Sequence, residues 1–163
     1  MPEQKQRYAL FFDIDGTLVS FKTHEIPLST ILALTQAKSN GSRVYIATGR
    51  PPLIITNLGA IGHLIDGYIT TNGALCFVGN EIVCCQSIDK KEVLTCVEDA
   101  KEKGYSLIVI GRKDVAVMDP TGDVDRIFRQ MLAVKNLDKA LPLDVVLQQD
   151  ILQLTPFFPA DYE

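Results

Sequence analysis

Apolar runs of four or five residues alternate, in the first half of this chain, with stretches whose apolar residues recur every three or four positions. The run Tyr8-Ala9-Leu10-Phe11-Phe12 has no polar interruption and predicts a strand at the centre of a parallel sheet. Ser29 to Asn40 predicts a helix: Ile31, Leu34 and Ala37 form one stripe, Ser29 can cap it and Gly41 can stop it. Arg43 to Ala47 predicts a second strand, so the opening reads as one βαβ crossover. Pro51 and Pro52 suit the first turn of another helix with Leu53 to Leu58 as its apolar body, although Gly59 and Gly62 oppose a long one. Leu64-Ile65 then leads through Asp66-Gly67 to a third strand, Tyr68-Ile69-Thr70, and Gly79-Asn80 predicts a hairpin between Leu75 to Val78 and Glu81 to Cys85.

The pattern changes after Gln86. Asp89 and Glu92 form a capping-box pair ahead of a helix with Val93, Val97 and Ala100 on one face and Gly104 beyond its end. Two apolar strands follow, Tyr105 to Ile110 and Val115 to Met118, with the charged turn Arg112-Lys113-Asp114 between them. Thr121 or Asp123 can cap a further helix burying Val124, Ile127, Phe128 and Met131, and Leu143 to Leu147 and Ile151 to Thr155 predict late strands. The expected organisation is an α/β unit over residues 1–85 and an α+β unit over residues 86–163.

Composition narrows the partners. The 163 residues are 47% hydrophobic and 22% charged, which fits a globular chain of one large or two small domains. A net charge of -4 gives no electrostatic reason to expect nucleic acid or an anionic membrane surface. Met1 to Arg7 lacks the apolar segment of a secretion signal and no run is long enough to span a bilayer, so a cytoplasmic location is expected. Cys76, Cys84, Cys85 and Cys96 make no paired Cys-x-x-Cys unit, and they read as small buried apolar side chains rather than zinc ligands.

Chemistry enters where the first strand ends. Asp13 and Asp15 lie two apart, so an extended backbone can aim both the same way, and close carboxylates favour a cation between or beside them. Oxygen ligands suit Mg²⁺, and Asp13 could also attack phosphorus. Gly16 permits a sharp exit in which backbone N–H groups could meet an anion. The plainer account is a solvated Asp-Gly turn, and the stretch alone divides about evenly between the two. Thr48-Gly49-Arg50 arrives at the same sheet edge, where a hydroxyl and adjacent amides suit a phosphoryl oxygen. For Arg50 a structural salt bridge is as good a reading as a phosphate contact. Asn72 could bind substrate or hold the Thr48 loop, although Asn-Gly is also a common turn pair. His24, alone in a polar loop, reads as solvated, as does the Arg112 turn.

Three ordered segments, Asp13-Ile14-Asp15-Gly16-Thr17-Leu18, Val44 to Arg50 and Ile69-Thr70-Thr71-Asn72-Gly73-Ala74, together resemble the haloacid dehalogenase-like superfamily, and the third is similar to its Cof-type phosphatase branch. The resemblance implies a Rossmann-like core with an α+β cap, and Mg²⁺-dependent hydrolysis of phosphate monoesters of small metabolites, sugar phosphates being one candidate class. It implies Asp13 as nucleophile and metal ligand, and Asp15 as proton donor and acceptor, with its carbonyl helping to hold the metal. Thr48, Gly49, Arg50 and Asn72 would lie at the phosphate edge. It also implies a later catalytic Lys and a Gly-Asp segment with another metal-binding acid. Neither has a match: Lys135 and Lys139 fall in the cap-like half, and Gly122-Asp123 opens a predicted cap helix.

On this reading the core is incomplete, roughly a third of the expected fold is absent, and turnover is expected to need a longer chain. An inactive phosphate-binding or regulatory remnant is the competing expectation. A phosphoacceptor signalling domain fits less well, because Asp13-Ile14-Asp15-Gly16-Thr17 and the cap-like half match the phosphatase pattern more closely. Oligomeric state is left open by the sequence.

Overall fold

The computed structural model describes residues 7–131 and 139–158. The chain divides into two compact units, one comprising residues up to Arg50 and Ile55–Cys84, the other Pro51–Ile54 with the chain from Cys85 onward.

In the first unit, β1 (Ala9–Phe12), β2 (Arg43–Ala47) and β3 (Gly67–Thr70) are parallel neighbours, and β4 (Leu75–Val78) and β5 (Glu81–Cys85) extend the sheet in the order β1-β2-β3-β4-β5. β4 runs antiparallel to β3. This is the expected α/β, Rossmann-like arrangement. Helix α1 (Leu28–Ser39) forms the crossover from β1 to β2, and Leu34 is its buried contact with a core containing Ile14, Leu18, Val44, Ile46 and Ile61. Pro27, not Ser29, occupies its N-cap, and no side chain caps it. Gly41 beyond its end takes φ +87° and donates back to the Lys38 carbonyl, a conformation that glycine adopts without steric cost.

The expected helix over Leu53–Leu58 is absent. Only short 3₁₀ turns, Pro52–Ile54 and Gly62–Leu64, lie between β2 and β3. Two prolines at one end and Gly59 and Gly62 at the other leave too few residues to propagate a helix once its nucleus is formed.

One ion pair locks this unit together from three elements. Lys38 at the end of α1 donates to both oxygens of Asp66 at 2.7 and 2.6 Å, and the Val44 amide of β2 donates to Asp66 Oδ2 at 2.7 Å. Asp66 stands immediately before β3, so its carboxylate ties helix, strand and strand entry.

In the second unit, β6 (Ser106–Gly111) lies between antiparallel β7 (Val115–Met118) and β8 (Ile151–Phe157). This separate sheet carries α2 (Lys90–Lys103), whose Val93, Val97 and Ala100 are buried as the spacing predicts. Asp89 caps α2 by accepting from the Lys91 amide, and Gly104 ends it at φ +71°. Pro156 sits in β8, which has a partner on one side only, where a missing N–H is tolerated.

Several sequence expectations for this unit change. Leu143–Val146 is a short helix, α3, with Val146 fully buried and Leu143 and Leu147 packed beside it; Pro142 starts it, and the i, i+3, i+4 spacing wins over β-branched content. Residues Asp125–Met131 wind as a π-helix. Thr121 accepts from the Asp123 amide at 3.4 Å, and the shorter cap is Asp119, which accepts from the Val124 and Asp125 amides, both at 3.1 Å. Ser106, fully buried, donates to Asp119 at 2.6 Å. Burial pushes the Asp119 carboxyl up, but Ser106 and the two amides together hold it below its ordinary value. Val124 is buried and Ile127 and Phe128 are half-buried, whereas the Met131 side chain and Lys135 lie outside the described residues.

The expectation of buried thiols is also corrected. Cys85 and Cys96 are exposed and Cys76 and Cys84 half-buried, all four free. Cys84 and Cys85 lie on the edge strand β5 and Cys96 on an outer face of α2, away from the core, while Cys76 in β4 donates to the Gly73 carbonyl at 3.5 Å. No helix among the described residues is long and apolar enough to cross a membrane.

The Asp66 clamp generates a pH dependence. Burial raises the Asp66 pKa, but the Lys38 hydrogen bond, the Val44 amide and the charges of Lys38 and Arg43 outweigh it and leave the carboxyl below its ordinary range. A depressed folded-state pKa stabilises the fold fully above the unfolded value, about pH 4, and the contribution is lost as pH falls through the folded value. Urea unfolding monitored on the first unit should therefore show Asp66→Ala costing about 1–3 kcal/mol at pH 7, with the difference from wild type shrinking at pH 3. An equal cost at both pH values would contradict the clamp.

Candidate active site

Parallel pairing brings the carboxyl ends of β1, β2 and β3 to one edge of the first unit's sheet. From that edge emerge Asp13, Thr48 and Thr71, each within one residue of its strand's end.

The β1 exit is organised by Ile14. Its side chain is fully buried in the core, and extended-chain alternation therefore turns its neighbours the other way: Asp13 is exposed and Asp15 half-buried. The Ile14 carbonyl accepts from Leu18 at 3.1 Å and Val19 at 2.9 Å, with a longer approach from Thr17 at 3.4 Å. Gly16 at φ +79° makes the reversal possible, and its amide donates to the Val19 carbonyl at 2.9 Å. The amides of Gly16, Leu18 and Val19 are used inside the loop. The ring of Phe21 lies against Gly16: a Cβ built there would fall 2.6 Å from Phe21 Cε2.

The two loops are joined by one fork. Arg50 Nε and Nη2 donate to Asp15 Oδ2 and Oδ1, both at 2.8 Å, in a bidentate pair whose guanidinium side is only 8% exposed. Between the two readings of Arg50 offered by the sequence, the structure contains the salt bridge. Thr48 is buried, its amide donates to the Ile69 carbonyl of β3, and its hydroxyl oxygen accepts from the Arg50 amide at 3.2 Å. Its own O–H proton is not consumed by that bond and can be donated elsewhere.

The β3 exit braces this turn. The Thr71 amide donates to the Arg50 carbonyl at 3.2 Å, and a Cβ built on Gly49 would fall 3.0 Å from Asn72 Oδ1, so the Asn72 side chain rests directly on Gly49. Thr71 at φ +54° and Asn72 at φ +53° are both left-handed, followed by Gly73 at +94°. For a β-branched residue that is a strained backbone, and the buried Thr71 hydroxyl has no hydrogen-bond partner among the described residues. His24 is exposed, and Arg112 and Lys113 are exposed in the second unit's β6–β7 turn, with Asp114 bound by Gln149.

The donor set suits a hard cation to a limited degree. Asp13 presents a carboxylate with no ion pair or hydrogen bond among the described residues. Both Asp15 carboxylate oxygens are occupied by Arg50, which leaves its main-chain carbonyl as the group it could offer. Mg²⁺ takes only one or two carboxylates and fills its shell with waters and phosphate, so this pair is a sufficient start. No group of three or more His, Cys, Asp or Glu side chains poised for a metal occurs among the described residues.

With this geometry in hand, likeness to known proteins becomes informative. Residues 10–163 match the haloacid dehalogenase-like hydrolase family, and the chain belongs to it. A structure described under conservation of a trigonal-bipyramidal intermediate in a phosphoryl-transfer superfamily is 42% identical, with TM-score 0.85 over 94% of this chain. The HAD subclass IIB sugar phosphatase BT4131 is 43% identical, with TM-score 0.82 over 92% of this chain. The Bacillus subtilis (strain 168) protein "Putative phosphatase YkrA" is 27% identical over 100 residues, 61% of this chain. The chain spans 59% and 58% of the two structures and 38% of YkrA.

Sequence reasoning missed the bracing by Thr71 and the ring of Phe21 over Gly16, since neither contact has a local signal. The Arg50–Asp15 fork is open to a direct test by a double-mutant cycle. Arg50→Gln, Asp15→Asn and the double variant should give a coupling energy of about 1–2 kcal/mol in urea unfolding of the first unit. Arg50→Lys should recover less than half, because an ammonium cannot form the fork. Zero coupling would mean the pair is incidental.

Proposed function

We propose that this chain carries the nucleophile-bearing part of a Cof-type phosphatase, with residues 1–85 as the N-terminal part of the core and 86–163 as a partial cap. The reaction is hydrolysis of phosphate monoesters of small metabolites, with sugar phosphates as the first class to test. The observation that carries this reading is the exposed, unpaired carboxylate of Asp13 beside an Asp15 fixed by Arg50 at the sheet's carboxyl edge. The 43% identity to a sugar phosphatase supports the substrate class.

In this mechanism Asp13 attacks phosphorus and forms an aspartyl-phosphate, dividing one difficult displacement into two easier ones. Asp15 hands a proton to the leaving oxygen and later accepts one from the attacking water. The Thr48 hydroxyl, its oxygen already held by the Arg50 amide, donates its proton to a phosphoryl oxygen. Asn72 keeps the Thr48–Arg50 turn in place through Gly49. A bound Mg²⁺, held by Asp13 and the Asp15 carbonyl, supplies charge neutralisation for the transferring group. The site works in the cytoplasm on a small phosphorylated partner, without nucleic acid or membrane.

A second reading is favoured by the 58–59% span of the solved relatives: an inactive phosphate-binding or regulatory remnant. Phosphate release by the 163-residue chain, with Mg²⁺ and in a metal-free control, separates the two, since robust release dependent on Asp13 counts against a remnant. In a longer chain that continues this sequence, Asp13→Asn should lower steady-state phosphate release by at least about a thousandfold. Release that survives the substitution removes Asp13 as nucleophile.

A further inference from the structure

Phe21 is 61% exposed, and a lone exposed aromatic residue ordinarily requires no explanation. This one is held in an unusual way. Ser20 closes the loop around it: the Ser20 amide donates to the Glu25 carbonyl at 3.1 Å, its carbonyl accepts from the His24 amide at 2.8 Å, and its hydroxyl accepts from the Lys22 amide at 3.1 Å. His24 takes φ +54° to complete the turn. The ring is thus presented by a fixed turn, and it lies on Gly16, the residue next to Asp15.

The chemistry of the loop gives that position a meaning. The amides of Gly16, Leu18, Val19, Ser20 and His24 are bonded within the loop, and the Phe21 ring is the large apolar surface it offers to a ligand beside the two carboxylates. Under the phosphoester reading above, on which this inference rests, the ester oxygen must come within hydrogen-bonding distance of Asp15. The carbon attached to that oxygen is then placed beside Gly16, where the next surface it meets is Phe21.

We propose that Phe21 is a binding residue for the alcohol portion of the phosphoester, selecting esters whose alcohol presents an apolar or C–H-rich ring face. Aromatic side chains bind such faces by apolar burial with a preferred stacking geometry, at little cost in side-chain entropy.

Calorimetric titration of the Asp13→Asn chain with Mg²⁺ present, which binds without turnover, tests this with inorganic phosphate, methyl phosphate and phenyl phosphate. Phenyl phosphate should bind about fivefold tighter than methyl phosphate, Phe21→Ala should erase that preference without changing the affinity for inorganic phosphate, and Phe21→Tyr should retain it. Because the ring is mostly exposed, the thermal unfolding of the variants should match that of the parent chain. A phenyl preference that survives Phe21→Ala, or an equal loss for all three ligands, overturns the assignment and leaves the phosphoester reading standing. Failure of all three to bind at millimolar concentration, in the wild-type chain as in the variants, overturns both.

Discussion

The burial of Ile14 is the constraint on which the site depends. A side chain with no solvent exposure, two residues past the end of β1, pins the strand exit in the core between Asp13 and Asp15. Its carbonyl simultaneously gathers the amides of Leu18 and Val19, so the loop closes on itself rather than wandering into solvent. Hydrophobic burial therefore sets the direction of two carboxylates that contribute nothing to the core. Leu18 and Val19, also buried, anchor the loop's far end in the same core, and the charged residues occupy the short span between anchors. A polar substitution at position 14 would release Asp13 and Asp15 together.

Around that anchor, three strand ends brace one another in a definite order. Asp15 is held by the Arg50 side chain, the Arg50 main chain by the Thr71 amide, and Gly49 by the Asn72 side chain. The last member carries the strain. Two consecutive non-glycine residues at positive φ, one of them β-branched with a buried hydroxyl lacking a partner, cost on the order of 1–3 kcal/mol each. The short hairpin between β3 and β4 over-determines this conformation, since Thr70 pairs with Leu75 and its hydroxyl also donates to the Leu75 carbonyl at 2.9 Å. Strain at the sheet edge is thus held in place by a regular ladder immediately behind it.

The elements most legible in the sequence were those whose signal is local. The Gly79-Asn80 hairpin and the Val93-Val97-Ala100 stripe of α2 formed where the pattern placed them, whereas the apolar run of β1 formed a strand at the end of the described sheet rather than at its centre, with Tyr8 and Phe11 exposed. Leu143–Leu147 was misread because five residues are too few for a period to separate strand from helix, and Pro142 was the stronger indicator. The cap at Val124 was misplaced because Asp119 reaches past a proline and a glycine to find the free amides, a tertiary choice among three nearby acceptors. For the candidate site, alternation suggested that Asp13 and Asp15 could face the same way, and the structure leaves Asp13 exposed and Asp15 half-buried. What Arg50 touches could not be read locally, since its partner lies 35 positions away and both of its readings obey the same local chemistry.

The Arg50 fork bears on how a carboxyl group at position 15 could serve as a proton donor. The fork places one arm of the guanidinium on each Asp15 oxygen. Under the proposed mechanism Asp15 would carry a proton on one of these oxygens, where it would compete with one arm of the fork. The guanidinium is 8% exposed, and under the proposed function an incoming phosphoryl group would offer it an alternative acceptor. Exchange of Arg50 from carboxylate to phosphate would thus free Asp15 at the moment an ester arrives. Under the proposed function the salt bridge would be the state of Arg50 before binding, and the phosphate contact its state after it.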